Sequence, residues 1–208
     1  MVRVMSPRPY QQRLRAEAAS QTRRRILDAV HDGLRRHPSE ALTVDDVARR
    51  AGVSRSTIYL AFGGRTQLFD AVGADLLRRS GFDDVMSAVD DPDPGAALRH
   101  FLRATTRMYD ANRDVLRSLF AMTRLDPEAV GGAIGRMEHG RAHGMSLLAD
   151  RLAAAGLLRD DVAHDRVVDL LWLVSSFESF DLLATGRARS VEAVAESFMA
   201  VLRGAILR

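Results

Sequence analysis

Residues 43–62, TVDDVARRAGVSRSTIYLAF, constrain what this chain can fold into more than any other stretch. Thr43 suits a helix N-cap, and Asp45 and Asp46 place negative charge on the first turn, where the helix dipole favours it. Val44, Val47 and Ala48 supply an inward face. Gly52 stops that helix at a position requiring positive φ, and Ser54 caps a second helix after the single residue Val53. The small Ala48 lets the two helices approach, Gly52 makes the turn, and Ile58 anchors the second helix from beneath. That spacing predicts a helix-turn-helix. The outward residues Arg55, Ser56, Thr57, Tyr59 and Leu60 would then enter a DNA major groove.

The same stretch resembles the DNA-binding core of the TetR family of bacterial one-component repressors. The resemblance lies in the order T-V-x-x-V-A-x-x-A-G-V-S-x-x-T-I-Y-x-x-F, followed by G-G-R-T-Q-L-F, and it extends from Thr22 through Phe69. Two positions depart from the family habit: Ser56 stands where glycine or proline is common, and Ala61 where a histidine often contacts phosphate. The resemblance implies a homodimeric, ligand-responsive repressor on a pseudo-palindromic operator. Arg55, Ser56, Thr57 and Leu60 would face the groove, with Ser54 beside them at the head of the helix. Thr43, Tyr59 and Arg65 would fix phosphates, and Arg55 is the candidate for reading guanine through O6 and N7.

Charge agrees with a polyanionic partner at one end. Residues 1–70 hold 13 Arg against 7 acids, a balance of +6; the remaining 17 Arg (30 − 13) face 20 acids (27 − 7), a balance of −3. Every basic residue is Arg. With no Cys, disulfides, thiolate metal sites and thiol redox sensing are excluded. The first 20 residues lack the apolar core of a secretory signal. The most apolar stretch, Val167–Leu183, is interrupted by Asp169, Glu178 and Asp181 and reads as no membrane span. A cytoplasmic location is expected.

In chain order, residues 1–19 carry Pro7, Pro9 and four Arg, and read as a mobile basic arm. A helix is predicted from near Ser20 to His37, with Pro38 ending it. Arg23, Arg24 and Arg25 would sit at its N-terminal end, against the dipole, which hints at a phosphate partner. Another helix runs from Arg65 to about Ser80 and is the natural lever for a switch. Asp93-Pro94 and Asp126-Pro127 are cap-then-proline signals that open further helices. The helix after Pro127 contains Gly131, Gly132, Gly135, Gly140 and Gly144, each costing about 0.5–1 kcal/mol relative to alanine. A broken or soft helix is expected there. Val162–Thr185 is predicted as one helix, apolar around much of its circumference, and Val191–Leu207 as the last.

The expected architecture is all-α: a DNA-binding domain at 20–66 and a helical ligand-binding and dimerisation domain at 67–208. Relatives use the middle of such a body as a ligand cavity. Phe101, Met108, Met122, Met137, Arg141, Trp172 and Phe177 are candidates to line it. Dimerisation is expected through the last two helices, with Leu173, Phe180, Leu183, Val194, Phe198 and Val201 at the interface. His139 and His143 stand four apart without a third ligand at an obvious spacing. Arg99, Arg103 and Arg107 share a face that would suit an anion or simply solvent. No nucleophile-base-acid arrangement or phosphate loop is recognisable, so no enzyme, metal or cofactor is expected. The rival readings are a nonspecific architectural DNA-binding protein and a small-molecule-binding protein with a vestigial reading head.

Overall fold

The computed structural model describes residues 7–36 and 42–208. Among them the secondary structure is α-helical, apart from one isolated antiparallel bridge between Leu158 and Leu207. The helices are α1 (Pro7–Arg36), α2 (Val44–Ala51), α3 (Arg55–Phe62), α4 (Arg65–Arg79), α5 (Phe82–Val89), α6 (Pro94–Ala111), α7 (Arg113–Leu125), α8 (Pro127–Ala154), α9 (His164–Val174), α10 (Phe177–Ala184) and α11 (Val191–Ala205).

They form two compact units. One takes the described residues up to Asp75 together with Ser118–Gly132; the other takes Leu76–Arg117 and Ala133–Arg208. Helices α4, α7 and α8 therefore each supply residues to both. This differs from the linear division expected at residue 66. Leu68, Phe69 and Val72 of α4 are buried in the first unit, as are Leu119, Met122 and Val130 of the later segment. The Ser118 hydroxyl donates to the Leu34 carbonyl of α1 at 2.7 Å, joining that segment to the N-terminal helices of the first unit.

In the first unit α1 packs on α2 and α3. Ile26, Leu27, Val30 and Leu34 of α1, Val47 and Ala48 of α2, and Ile58 and Phe62 of α3 are all buried. Large apolar side chains so buried contribute about 1.5–3 kcal/mol each. Helix α1 starts at Pro7, where proline is tolerated because first-turn N–H groups have no helical partner. Residues 7–19, expected as an arm, are thus helical; residues 1–6 and Pro38 lie outside the described residues. Arg23, Arg24 and Arg25 fall within the helix and not at its start, so the expected conflict with the dipole does not arise.

The second unit is built around α6, which packs against α5, α10 and α11. Leu98, Phe101, Leu102 and Tyr109 supply its buried face. Its N-terminus follows the sequence signal: Asp93 accepts from the Gly95 N–H at 2.9 Å and Pro94 opens the helix. Helix α5 has no counterpart in the sequence reading. Gly81, at φ 78°, separates it from α4, and Val85 and Ala88 bury one side of it. The expected single helix over 162–185 is two. Ser176 interrupts it by capping α10, its hydroxyl accepting from the Ser179 N–H at 3.1 Å. Conversely α8 is unbroken despite its glycines, and a Cβ at Gly135, Gly140 or Gly144 would meet open space. Those three glycines mark neither a break nor a close approach.

Candidate DNA-reading helix

Thr43 and Asp46 make a reciprocal capping box at the start of α2. The Thr43 hydroxyl accepts from the Asp46 N–H at 3.2 Å and the Asp46 carboxylate from the Thr43 N–H at 3.3 Å. The Thr43 hydroxyl, then its backbone, holds the Asp46 carboxyl below the usual carboxylate range. Gly52 ends α2 at φ 62°, a conformation that costs any side-chain-bearing residue energy. Ser54 then caps α3, accepting from the Thr57 N–H at 3.1 Å. Its hydroxyl also lies 2.8 Å from those of Ser56 and Thr57, so three hydroxyls cluster at the head of α3.

Burial fixes which side of α3 faces outward. Ile58 and Phe62 point into the core, while Arg55, Ser56, Tyr59 and Leu60 are exposed and Thr57 half-buried. Leu60 is 90% exposed, an unusual position for a leucine with nothing to pack on. Arg55 lies 3.4 Å from the Asp45 carboxylate and donates to the Tyr59 hydroxyl at 3.4 Å. Tyr59, and Asp45 after it, hold the Arg55 pKa above its ordinary value. Asp45 was not singled out for this role in the sequence; its neighbour is ten residues away across the turn.

The far end of α3 is clamped by α1. Arg23 donates to the Ala61 carbonyl and its guanidinium sits 4.1 Å above the Phe62 ring. A cation at a helix C-terminus is where the dipole favours one. The arginine that hinted at phosphate from sequence is therefore used to hold α3. Arg65 is likewise engaged: it is ion-paired with Asp126, donates to the Leu42 carbonyl at 3.2 Å and lies 5.5 Å above the Phe69 ring. These contacts occupy the side chain expected to reach phosphate, so the structure brings together Ser54, Arg55, Ser56, Thr57, Tyr59 and Leu60 but turns Arg65 inward.

This geometry coincides with a family match: the model for bacterial regulatory proteins of the tetR family covers residues 26–72. Residues 26–72 therefore match the DNA-binding segment of the tetR family. It is 36% identical over 102 residues to the HTH-type transcriptional regulator AlkX of Mycobacterium tuberculosis, covering 49% of this chain and 42% of that protein. It is 37% identical over 57 residues to the uncharacterized HTH-type transcriptional regulator TtgW of Pseudomonas putida, covering 27% of this chain and again 42% of the relative. The chain thus spans about two fifths of the length of these curated relatives. The fold extends further. NalD of Pseudomonas aeruginosa, the secondary repressor of the MexAB-OprM multidrug efflux pump, superposes with TM-score 0.67 at 18% identity, over 92% of this chain and 98% of that one. A TetR-like regulator from Rhodococcus sp. RHA1 gives 0.65 at 20% identity, over 88% and 94%. The helix-turn-helix of α2 and α3 thus lies within the segment that matches the tetR-family model, and among the described residues no helix is long and apolar enough to cross a membrane.

The remaining candidates from the sequence are placed as follows. Of the cavity candidates, Met122 is buried in the first unit, and the others belong to the second. Phe101 and Phe177 are buried, Met108 and Met137 half-buried, and Trp172 is 41% exposed. Arg141 is taken up structurally: it pairs with Glu138, donates to the Trp172 carbonyl and to the Ser175 hydroxyl at 3.0 Å, and lies 5.0 Å above the Trp172 ring. Tyr109 donates to the Ser175 carbonyl at 2.9 Å and meets Phe177 edge-on, with ring centroids 5.6 Å apart. Burial pushes the Tyr109 phenol pKa up. Arg141, Tyr109 and Phe177 thus converge on the α9–α10 break.

The interface candidates divide. Phe180, Val194 and Phe198 are buried in the chain's own core, because α6 and α10 pack against α11 on that side. They offer no surface to a second copy. Leu173 and Val201 are exposed and Leu183 half-buried, and Trp172 and Leu182 add exposed apolar area that the sequence reading had not assigned to the interface. His139 and His143 are exposed on α8, and no cluster of three metal-ligating side chains occurs among the described residues. Arg103 and Arg107 line a cleft of about 150 Å³ in which Glu192 and Glu196 offset their charge.

Proposed function

We propose that this regulator is a homodimeric repressor that binds a pseudo-palindromic operator and is released by a small-molecule effector. The observation that carries the DNA-reading part is the outward row Arg55, Ser56, Tyr59 and Leu60 on a helix fixed at one end by Ser54 and at the other by Arg23. A rigid element presenting polar and apolar groups in a row is what base-edge readout requires. Dimerisation is supported by Leu173, Leu182 and Val201, large apolar side chains left exposed on α9, α10 and α11. One short helix gives little specific affinity, whereas two heads about 34–36 Å apart read two half-sites. Helix α4 is the lever in this reading, since it begins beside α3 and supplies residues to both units. That the similar NalD is a repressor supports the direction of control.

The test is selection of duplexes from a random library by the purified full chain, followed by binding at several salt concentrations. A palindromic motif bound by two protomers is expected. Equal affinity and equal salt slope for selected and random DNA would mean phosphate binding only. Metabolite screening by thermal shift, then titration with and without the selected duplex, tests release. An effector that couples to DNA must be weakened by DNA by the same factor that it weakens DNA.

A further inference from the structure

The N-terminal half of α1 carries a charge that names its occupant. Helix α1 runs on N-terminally from Arg23, the residue clamped to the end of α3, for about 24 Å at 1.5 Å per residue. From Tyr10 to Gln21 every side chain is exposed. An isolated helix of that length is marginal in water, because tertiary packing normally supplies most helical stability. Among the described residues nothing packs on this segment to supply it.

What the segment does carry is positive charge. Arg13 and Arg15 are exposed and take part in no ion pair among the described residues, and Arg24 and Arg25 follow beside the clamp. Glu17 is the one acid between Pro7 and Arg25, against Arg8, Arg13, Arg15, Arg23, Arg24 and Arg25. Tyr10 and Leu14, one turn apart, are 60% and 47% exposed, which gives the helix a narrow apolar strip beside its arginines.

We propose that residues 7–22 form a second DNA-contacting element, a basic helix that lies along the phosphates flanking the half-site read by α3. This rests on the DNA-reading assignment of α3 and goes beyond it. Charge complementarity selects the occupant: a duplex presents a phosphate about every 1.7 Å of axis, and the segment's length corresponds to about seven base pairs. Contacts of this kind position the protein and add affinity without reading bases. The apolar strip then rests against sugar edges, while the arginines release counterions.

The experiment compares the full chain with its Arg13→Ala/Arg15→Ala variant on one duplex obtained by random-library selection with the wild type. Both positions are exposed, and circular dichroism with thermal unfolding verifies that the fold is kept. Log affinity against log salt is expected to be shallower in the variant by roughly 0.9 for each lost phosphate contact, so by up to about 1.8 per protomer. Hydroxyl-radical protection is expected to retreat from the flanks, and the base preference of the central half-sites to remain that of the wild type. Trimming the flanking base pairs should weaken the wild type and leave the variant unaffected. An unchanged salt slope with an unchanged footprint overturns the proposal. So does a variant whose central base preference alters while its flanking protection persists. If the wild type selects no sequence at all, the DNA-reading assignment of α3 has failed instead.

Discussion

Arg65, the first residue of α4, is ion-paired with Asp126, the residue that caps α8 by accepting from the Ala129 N–H at 3.2 Å. One carboxylate therefore serves two helix starts within the first unit. Asp126→Asn keeps the cap and loses the ion pair, and for a partly exposed pair the expected destabilisation is up to about 1 kcal/mol. Asp126→Ala loses the cap as well and is expected to cost about 1 kcal/mol more. Denaturant unfolding of Arg65→Ala, Asp126→Asn and the double variant should show non-additivity. Additive losses would mean that the pair contributes nothing as a pair. Because Arg65 is engaged inside the unit, Arg65→Ala should leave the salt slope of DNA binding unaltered.

Arg55 and Asp45 are expected to act on the selectivity of the proposed reading helix in opposite ways. Arg55→Ala is expected to lose about 1–3 kcal/mol at one base pair of the selected site, as removal of a bidentate guanine contact would. Asp45 lies beside Arg55 and repels phosphate, so Asp45→Asn should tighten binding to random DNA several-fold more than to the selected site. A library profile measured for both variants decides this. An Arg55→Ala profile identical to wild type would remove Arg55 from base reading.

Leu60, with its 90% exposure, has the chemistry to meet a thymine methyl. Replacing each thymine of the selected site by uracil in turn removes that methyl alone. At one position per half-site the wild type should weaken about fourfold, the value of roughly 0.8 kcal/mol for one buried carbon. Leu60→Ala should be indifferent to the same replacement. Sensitivity that survives in Leu60→Ala would assign the methyl contact to another side chain.

Surface and core positions of the last helices should separate cleanly. Leu173→Glu with Val201→Glu is expected to give a folded monomer in sedimentation, since both residues are half exposed in the single chain. Phe180→Ala and Phe198→Ala, at 0% and 5% exposure, should instead cost about 3–5 kcal/mol by leaving cavities. A stable dimer carrying both glutamates would place the interface elsewhere.

Arg141→Leu is expected to destabilise the second unit by about 1–3 kcal/mol, because Glu138 and the carbonyl end of α9 would lose their partly buried partner. Thermal unfolding with Glu138→Gln in the same background should recover part of the loss. No recovery would argue against uncompensated charge as its origin.

The helix-turn-helix was legible because its determinants are local. Thr43, Gly52, Ser54 and Ile58 act on neighbours within one or two turns, through caps, a positive φ and helical periodicity. The proline-led starts of α6 and α8 were legible for the same reason. The break at Ser176 was also a local cap, but the surrounding apolar run concealed it. What the order of residues did not determine was long-range pairing. Arg65 with Asp126, Arg23 with Ala61 and Arg141 with Trp172 join residues 61, 38 and 31 positions apart. An arginine's charge and reach are identical whether it meets a phosphate, a carboxylate or a helix end, so its sequence context cannot choose among them. Apolar periodicity likewise marks Phe180, Val194 and Phe198 as inward-facing without saying whether the inside belongs to one chain or two. Only the packing of α6 and α10 on α11 decided that, because burial is a property of neighbours in space.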